Sequence, residues 1–251
     1  MLAAGAPAKA DAFADVDAAI VFAVDISSSI DPQHADIQRR GHAEALRSPE
    51  VAAAIRAGLT GCIAITYVEW SVPGWLRTVL PWTRICGERD RDAAAAEILQ
   101  RGDSGLERRG RGGTAISYAI EASAILLDRL PGGAHRKIID ISANGTNNDG
   151  VPVAGARERV VAKGYAINAI VLGRIEAGIT DDLPGYFRDN VIGGPGAFAI
   201  VPDGPADYAA ALRRKLVLEI SGLEAGDDEA EAGADGKAAG VLQWSERRST
   251  G

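Results

Sequence analysis

The sequence predicts an α/β domain: a doubly wound, Rossmann-like, mostly parallel sheet with an antiparallel hairpin at one edge. Three observations predict it. Residues 18–24 form an uninterrupted apolar run, as expected of a strand covered on both faces. Strand-like and helix-like segments alternate along the chain, the pattern of a parallel sheet with crossover helices. Two strand-like runs, 62–70 and 76–85, are separated by too few residues to hold a crossover helix, so they must pair antiparallel.

Each element has its own local signal. After the first strand, Asp31 and Pro32 supply an N-cap and a proline at the first helical position,. Ile37, Ala45 and Leu46 recur at roughly helical spacing, and Ser48-Pro49-Glu50 starts a second helix carrying Val51 and Ile55. The hairpin turns at Pro73-Gly74. A helix rich in alanine and charges covers 88–101, and a Gly/Arg loop at 108–113 leads into a helix starting at Thr114. Ile116, Ile120, Ala124 and Leu127 give that helix its buried face,. A strand at 137–142 ends at Ala143-Asn144-Gly145, followed by a helix at 152–163 and a strand at 166–172. A short segment at 181–190, a last strand near 197–201 and a final helix at 205–220 complete the pattern.

Residues 15–222 therefore read as one domain, within a chain of 251 residues. Such a length buries about 70–75% of the surface that the unfolded chain exposes. Residues 1–14 read as a leader or a signal-peptide remnant, with Ala8-Lys9-Ala10 matching a small-x-small cleavage site,. Residues 223–251 are acidic, rich in Ala and Gly and without periodicity, and read as a disordered tail,. The net charge of −7 argues against a nucleic-acid binder,. No apolar run approaches the ~20 residues needed to span a bilayer. Cys62 and Cys86 fall opposite one another at the open end of the hairpin, which allows a Cys62–Cys86 disulfide in an oxidising compartment; the alternative is two unrelated thiols. The leader and the disulfide together point to a periplasmic or secreted protein, with a cytoplasmic one as the alternative.

The chemistry concentrates where the first strand ends. Asp25, Ser27 and Ser29 alternate there, offering one carboxylate and two hydroxyls. In an open α/β sheet, ligands bind beyond the carboxyl ends of the strands where the strand order reverses. The loops at Gly112-Gly113-Thr114 and Asn144-Gly145 belong at that end too. Thr114 adds a hydroxyl, Asn144 an amide oxygen, and the two glycines allow close backbone approach. Five hard oxygens suit Mg2+ or Mn2+ with water completing the shell. The competing account has Ser27 and Ser29 merely capping the following helix.

Asp25-Ile26-Ser27-Ser28-Ser29 with Thr114, followed by a strand ending at a polar residue before glycine, resembles a von Willebrand factor A domain with its metal-ion-dependent adhesion site. Tyr67-Val68-Glu69-Trp70, Pro81-Trp82-Thr83, Arg111-Gly112-Gly113-Thr114-Ala115-Ile116, Asn147-Asn148 and Val191-Ile192-Gly193-Gly194-Pro195-Gly196 narrow the resemblance. It is similar to a bacterial branch known as a domain of unknown function (family 1194), over about residues 15–222. The resemblance implies metal-ligand roles for Asp25, Ser27, Ser29 and Thr114, and a free metal position that accepts a carboxylate from a partner protein. The family usually has aspartate where this chain has Asn144, which implies a weaker site, since a carboxylate near a divalent ion contributes a few kcal/mol of attraction at ~4 Å.

Three functions follow in order: a non-catalytic, metal-assisted protein-interaction module of an exported protein, a scaffold with a decayed metal site, and a hydrolytic enzyme. Enzyme signatures are missing. Ser27 stands where a haloacid-dehalogenase phosphatase needs a second aspartate, no glycine-rich turn follows the first strand, and Gly-x-Ser-x-Gly does not occur,. His34, His42 and His135 lack metal-ligand spacing. Glu69 reads as solvated or salt-bridged, with a place close to the metal as the alternative, Arg101, Arg108, Arg109 and Arg111 as a solvated loop or a steering patch, and at least two of Trp70, Trp75 and Trp82 as core.

Overall fold

A computed structural model describes residues 14–106, 112–172, 182–223 and 240–243. Residues 1–13 of the leader, Arg108, Arg109 and Arg111, Asp181, and tail residues 224–239 and 244–251 lie outside the described residues.

Seven strands form one sheet in the order β3-β2-β1-β4-β5-β6-β7. They are β1 (Val16–Asp25), β2 (Ile63–Trp70), β3 (Leu76–Ile85), β4 (Ala134–Ala143), β5 (Ala166–Val171), β6 (Phe198–Val201) and β7 (Gly240–Gln243). β1 pairs parallel with both β2 and β4, and β4–β5–β6 continue parallel. The chain builds outward from β1 to β3, then returns to lay β4 on the other side of β1. The strand order thus reverses at β1/β4, opening a crevice beyond their carboxyl ends.

Both faces of β1 are covered, and all ten of its residues are buried. Ala19, Val21 and Ala23 join α4 (Ile116–Asp128) and α5 (Val153–Val161) in one core layer. Ala18, Ile20, Phe22 and Val24 join α1 (Pro32–Arg47), α2 (Pro49–Ala57), α3 (Glu88–Arg101) and α7 (Tyr208–Ser221) in the other. A short α6 (Leu183–Tyr186) runs into a π-helical turn at Phe187–Val191, which buries Phe187 and Val191.

The helix starts behave as their sequences dictate. Asp31 accepts the His34 N–H at 2.8 Å with Pro32 in the first turn. Ser48 accepts the Val51 N–H at 3.2 Å while donating to the Ala45 carbonyl at 2.8 Å, so one hydroxyl ends α1 and begins α2. The hairpin turns where expected, with Gly74 at φ 84°, a conformation glycine adopts without strain. Cys62 and Cys86 form a disulfide directly beyond the Ile63–Ile85 pair.

Two expectations change. α4 begins at Ile116 rather than Thr114, because Asn148 holds Thr114 in the preceding loop. Its side-chain oxygen accepts the Thr114 N–H at 2.7 Å, and its N–H donates to the Thr114 carbonyl at 3.0 Å. The tail read as disordered contains β7, which pairs antiparallel with β6. Val241 packs against one core layer and Leu242 against the other. Four residues are too few to show strand periodicity, so only the open edge of β6 reveals them.

A charged cluster sits inside the α7 layer. Lys215 is fully buried; its Nζ lies 2.6 Å from Asp140 Oδ1 of β4 and also contacts Glu219 Oε1. Asn168 of β5 donates to Glu219 at 2.8 Å. One ammonium faces two carboxylates away from water. Burial first, then the Asp140 charge, pushes the Glu219 carboxyl up to about 7, with Lys215 and Asn168 opposing. Burial pulls the nearby His42 imidazole down to about 4 despite Asp140.

The two groups act in opposite directions. A raised carboxyl pKa means that the native state holds a proton the unfolded chain has lost, so stability falls as pH rises from the ordinary value of 4.5 to about 7,. His42 lowers stability as pH falls from 6.5 towards 4,. Comparison with Glu219→Gln isolates the first contribution, since the amide oxygen still accepts from Asn168 and Lys215. Thermal unfolding across pH 4–8 should show the variant gaining on the wild type as pH rises through 4.5–7; parallel curves would rule out a titrating Glu219. Reduction of Cys62–Cys86 should cost about 3 kcal/mol through the loop entropy it returns to the unfolded chain, read as a lower midpoint in urea with dithiothreitol.

Candidate functional site

Three loops meet beyond the carboxyl ends of β1 and β4. The first leaves β1 at Asp25, which lies beside Trp70 of β2. The second approaches α4 through Gly112-Gly113-Thr114, and the third leaves β4 through Asn144-Gly145. Backbone bonds tie them together: Ser28 N–H donates to the Gly112 carbonyl at 2.9 Å and Asn148 N–H to the Thr114 carbonyl at 3.0 Å, while Ala115 N–H donates to the Ser71 carbonyl of the β2–β3 turn at 2.8 Å. The glycines provide closeness. A Cβ on Gly112 would lie 2.3 Å from Val72 Cγ1, and one on Gly113 2.7 Å from Asp149 Cβ.

The structure brings all five sequence-selected residues together. Thr114 Oγ1 donates to Ser27 Oγ at 3.1 Å, Ser27 Oγ lies 3.0 Å from Ser29 Oγ, and Ser29 Oγ donates to Asn144 Oδ1 at 2.8 Å. These four oxygens form a continuous chain across the three loops. The Asp25 carboxylate curls back over its own loop and accepts the Ser27 N–H at 2.6 Å, an Asx-turn. Asp25, Ser27, Thr114 and Asn144 are buried, and Ser29 is half-buried.

The donor set is one carboxylate, three hydroxyls and one amide oxygen. Among the described residues no group of three or more His, Cys, Asp or Glu side chains gathers to hold a metal, at this site or at any other. Hard oxygens of this kind suit Mg2+ or Mn2+ rather than a soft ion. Neighbouring ligands of an octahedral Mg2+ lie about 2.9 Å apart, given Mg–O distances of about 2.0–2.1 Å. The oxygen spacings here, 2.8–3.1 Å, are those of the hydrogen bonds that link them and are compatible with that value. The residues therefore fit such an ion in type and spacing, though with one formal negative charge among them.

Sequence reasoning missed the residues behind the ligands. Gln38, buried on α1, donates to the Asp25 carbonyl at 3.0 Å and accepts from Ser142 Oγ of β4 at 2.6 Å. Ser142 Oγ lies 2.9 Å from the Tyr208 hydroxyl of α7. This chain fixes the end of β1 from behind. Its one visible signal is a glutamine on the helix face that also carries Ala35, His42 and Ala45. Asn148 holds Thr114, and Asn147 Oδ1 caps α4 through the Ser117 N–H at 3.0 Å.

The other expectations sort clearly. Glu69 is salt-bridged: Arg77 Nε reaches its Oε2 at 2.9 Å, and the Asp103 N–H donates to Oε1 at 2.6 Å. Burial holds its carboxyl above the ordinary range, partly offset by Asp103 N–H and Arg77. Arg101 pairs with Glu97 at 2.6 Å. Trp70 is core, and Trp82 packs against the same layer with its indole N–H donated to the Leu126 carbonyl at 3.2 Å; Trp75 is half-buried.

Comparison with known proteins agrees with this architecture. The sequence model of the family described as "Protein of unknown function (DUF1194)" matches residues 15–224. No curated protein matches the chain. Among solved structures, a von Willebrand factor type A protein from Catenulispora acidiphila superposes with a TM-score of 0.57 at 15% identity, covering 82% of this chain and 43% of that one. The pilus adhesin SpaC from Lactobacillus rhamnosus GG gives a TM-score of 0.59 at 13% identity, covering 82% and 31%. Proximal thread matrix protein 1 of the mussel byssus, with a zinc-occupied MIDAS motif, gives 0.55 at 20% identity, covering 82% and 48%. The chain spans less than half the length of each. These likenesses establish the von Willebrand factor A fold.

The Asn148 clamp makes a direct prediction. Asn148→Ala removes the acceptor of the Thr114 N–H and should cost about 1–2 kcal/mol. Urea unfolding should show a lower midpoint with an unchanged m-value; an unchanged midpoint would mean that Thr114 is held by other means.

Proposed function

We propose that this chain, which belongs to the DUF1194 family and has the von Willebrand factor A fold, is a non-catalytic protein-interaction module that docks its partner at the three-loop oxygen cluster. One observation carries the reading: Asp25, Ser27, Ser29, Thr114 and Asn144 converge from three loops, with the four oxygens of the last four linked at 2.8–3.1 Å where the strand order reverses. On this reading Asp25, Ser27, Ser29 and Thr114 hold Mg2+ or Mn2+, and Asn144 adds its amide oxygen. When bound, the ion supplies a free coordination position that takes a carboxylate of the partner protein. The chain's residues supply the rest: Asp25 the charge, the hydroxyls the neutral oxygens, and Gln38 and Asn148 the fixed positions of the loops.

The fold supports an interaction role, since the solved structures similar to this chain include a pilus adhesin and a byssal matrix protein. The side-chain inventory supports a non-catalytic one. His34 pairs with Asp31, His42 is buried against the Gln38 carbonyl, and His135 sits near the start of β4, at the opposite end of the sheet. None stands ready as a general base for the Ser27 or Ser29 hydroxyl. The Cys62–Cys86 disulfide supports an exported protein,, and no described helix is long and apolar enough to cross a membrane. On this reading residues 15–222 carry the module, and β7 adds the last strand of its sheet from the segment read as a tail.

A second reading has its own support. Asn144 brings no charge, and both ends of its amide are engaged by Ser29, as expected of a scaffold that keeps the loop geometry without the ion. Calorimetric titration of Mg2+ and Mn2+ into the full chain separates the two. Saturable weak binding that Asp25→Ala abolishes supports the metal-assisted module; no heat at millimolar ion, with partner capture unaffected by EDTA, supports the scaffold.

A further inference from the structure

Ser29 is read twice by one side chain. Its hydroxyl donates to Asn144 Oδ1 at 2.8 Å, and its backbone carbonyl accepts from Asn144 Nδ2 at 3.1 Å. Asn144 is 1% exposed and sits immediately beyond β4, while Ser29 lies on the loop after β1, so the contact joins two loops 115 residues apart in sequence. The reverse amide orientation would set Oδ1 against the Ser29 carbonyl, acceptor against acceptor, so the two partners fix which atom is which.

We infer that Asn144 is a positioning residue whose amide closes the β1–α1 loop onto β4 in the absence of any ion. A carboxylate here accepts from the Ser29 hydroxyl equally well but has no hydrogen to give the Ser29 carbonyl. Two facing acceptors at 3.1 Å, in a part-buried contact, then repel, and an ionised carboxylate at this position needs a proton or a cation to hold the loop. The amide supplies from within a link that a carboxylate could make only through a proton or a cation, and it joins the chain of hydrogen bonds through Ser29, Ser27 and Thr114. The inference itself concerns the ion-free chain; only its consequence for cation binding rests on the function proposed above.

The test is thermal unfolding of the full chain in EDTA, comparing wild type with Asn144→Asp. At pH 7.5 the variant should melt roughly 3–8 °C lower, the size expected for one unsatisfied buried pair in a domain of this length. Equal melting temperatures at pH 7.5 would overturn the inference. A wild-type measurement guards against a variant that does not fold: in EDTA the Asn144 side-chain amide protons should exchange slowly with solvent, and exchange at the rate of an exposed amide would overturn it too. Addition of 10 mM Mg2+ to the variant is a separate arm. Recovery of the lost stability supports ion binding at this cluster, whereas no recovery refutes the metal-assisted reading and leaves the EDTA result to decide the clamp.

Discussion

Most of the molecule depends on the position of β1, buried on both faces and flanked by parallel partners on both edges. Such a strand has no solvent side, so Ala18 to Val24 are all apolar and the two aspartates stand at its ends: Asp17, paired with the Thr60 and Cys62 N–H groups, and Asp25, where the chain escapes the sheet. The registers with β2 and β4, Asp25 opposite Trp70 and Val24 opposite Ser142, bring the loops after β1 and β4 side by side. A slip of one residue would exchange the Ala19, Val21, Ala23 face for the Ile20, Phe22, Val24 face and turn Asp25 away from α4. The two core layers, with α4 and α5 on one side and α1, α3 and α7 on the other, prevent that slip because small and large residues alternate along the strand.

The polar layer beneath the loops continues the same constraint. Gln38, Ser142 and Tyr208 bridge β1, β4, α1 and α7 through buried bonds of 2.6–3.0 Å. Each group is costly to bury alone and cheap to bury paired, so the three residues act as a unit. They leave the Asp25 carbonyl little freedom, and the side chain inherits that order. Further down, Lys215, Asp140 and Glu219 form a second buried unit that couples α7 to β4. It is satisfied less completely than the first, and therefore responds to pH.

What the sequence disclosed follows from how local each signal is. The apolar run of β1, the Asp31-Pro32 and Ser48-Pro49 caps and the Pro73-Gly74 turn each act within a few residues, and the structure has all of them. The facing cysteines became legible once the hairpin register was fixed. The five clustered oxygens were legible because strand ends in an open sheet gather at one side, which makes topology a substitute for distance. Gln38 and Asn148 were not legible, since a glutamine on a helix or an asparagine in a loop is ordinarily solvated and only tertiary contact gives it a task. Lys215 was hidden by its neighbours: it follows Arg213 and Arg214 directly in the sequence, yet the helix turns the third cation inward. β7 was hidden because a four-residue strand takes its meaning from the edge it meets.

The charge of the oxygen cluster bears on how holding the loops and holding an ion are divided. Three hydroxyls and an amide can satisfy one another without help, and here Thr114, Ser27, Ser29 and Asn144 do so in one chain. A second carboxylate would raise the attraction for a divalent ion by a few kcal/mol at contact distances and intermediate dielectric, but it would also leave like charges facing each other whenever the ion departed. With Asn144 the cluster gives up part of that attraction and gains loops that are already in place. On the metal-assisted reading, an entering ion would have to displace internal hydrogen bonds rather than relieve repulsion, so its affinity would be set by Asp25 and by the ease with which the hydroxyls turn their lone pairs inward.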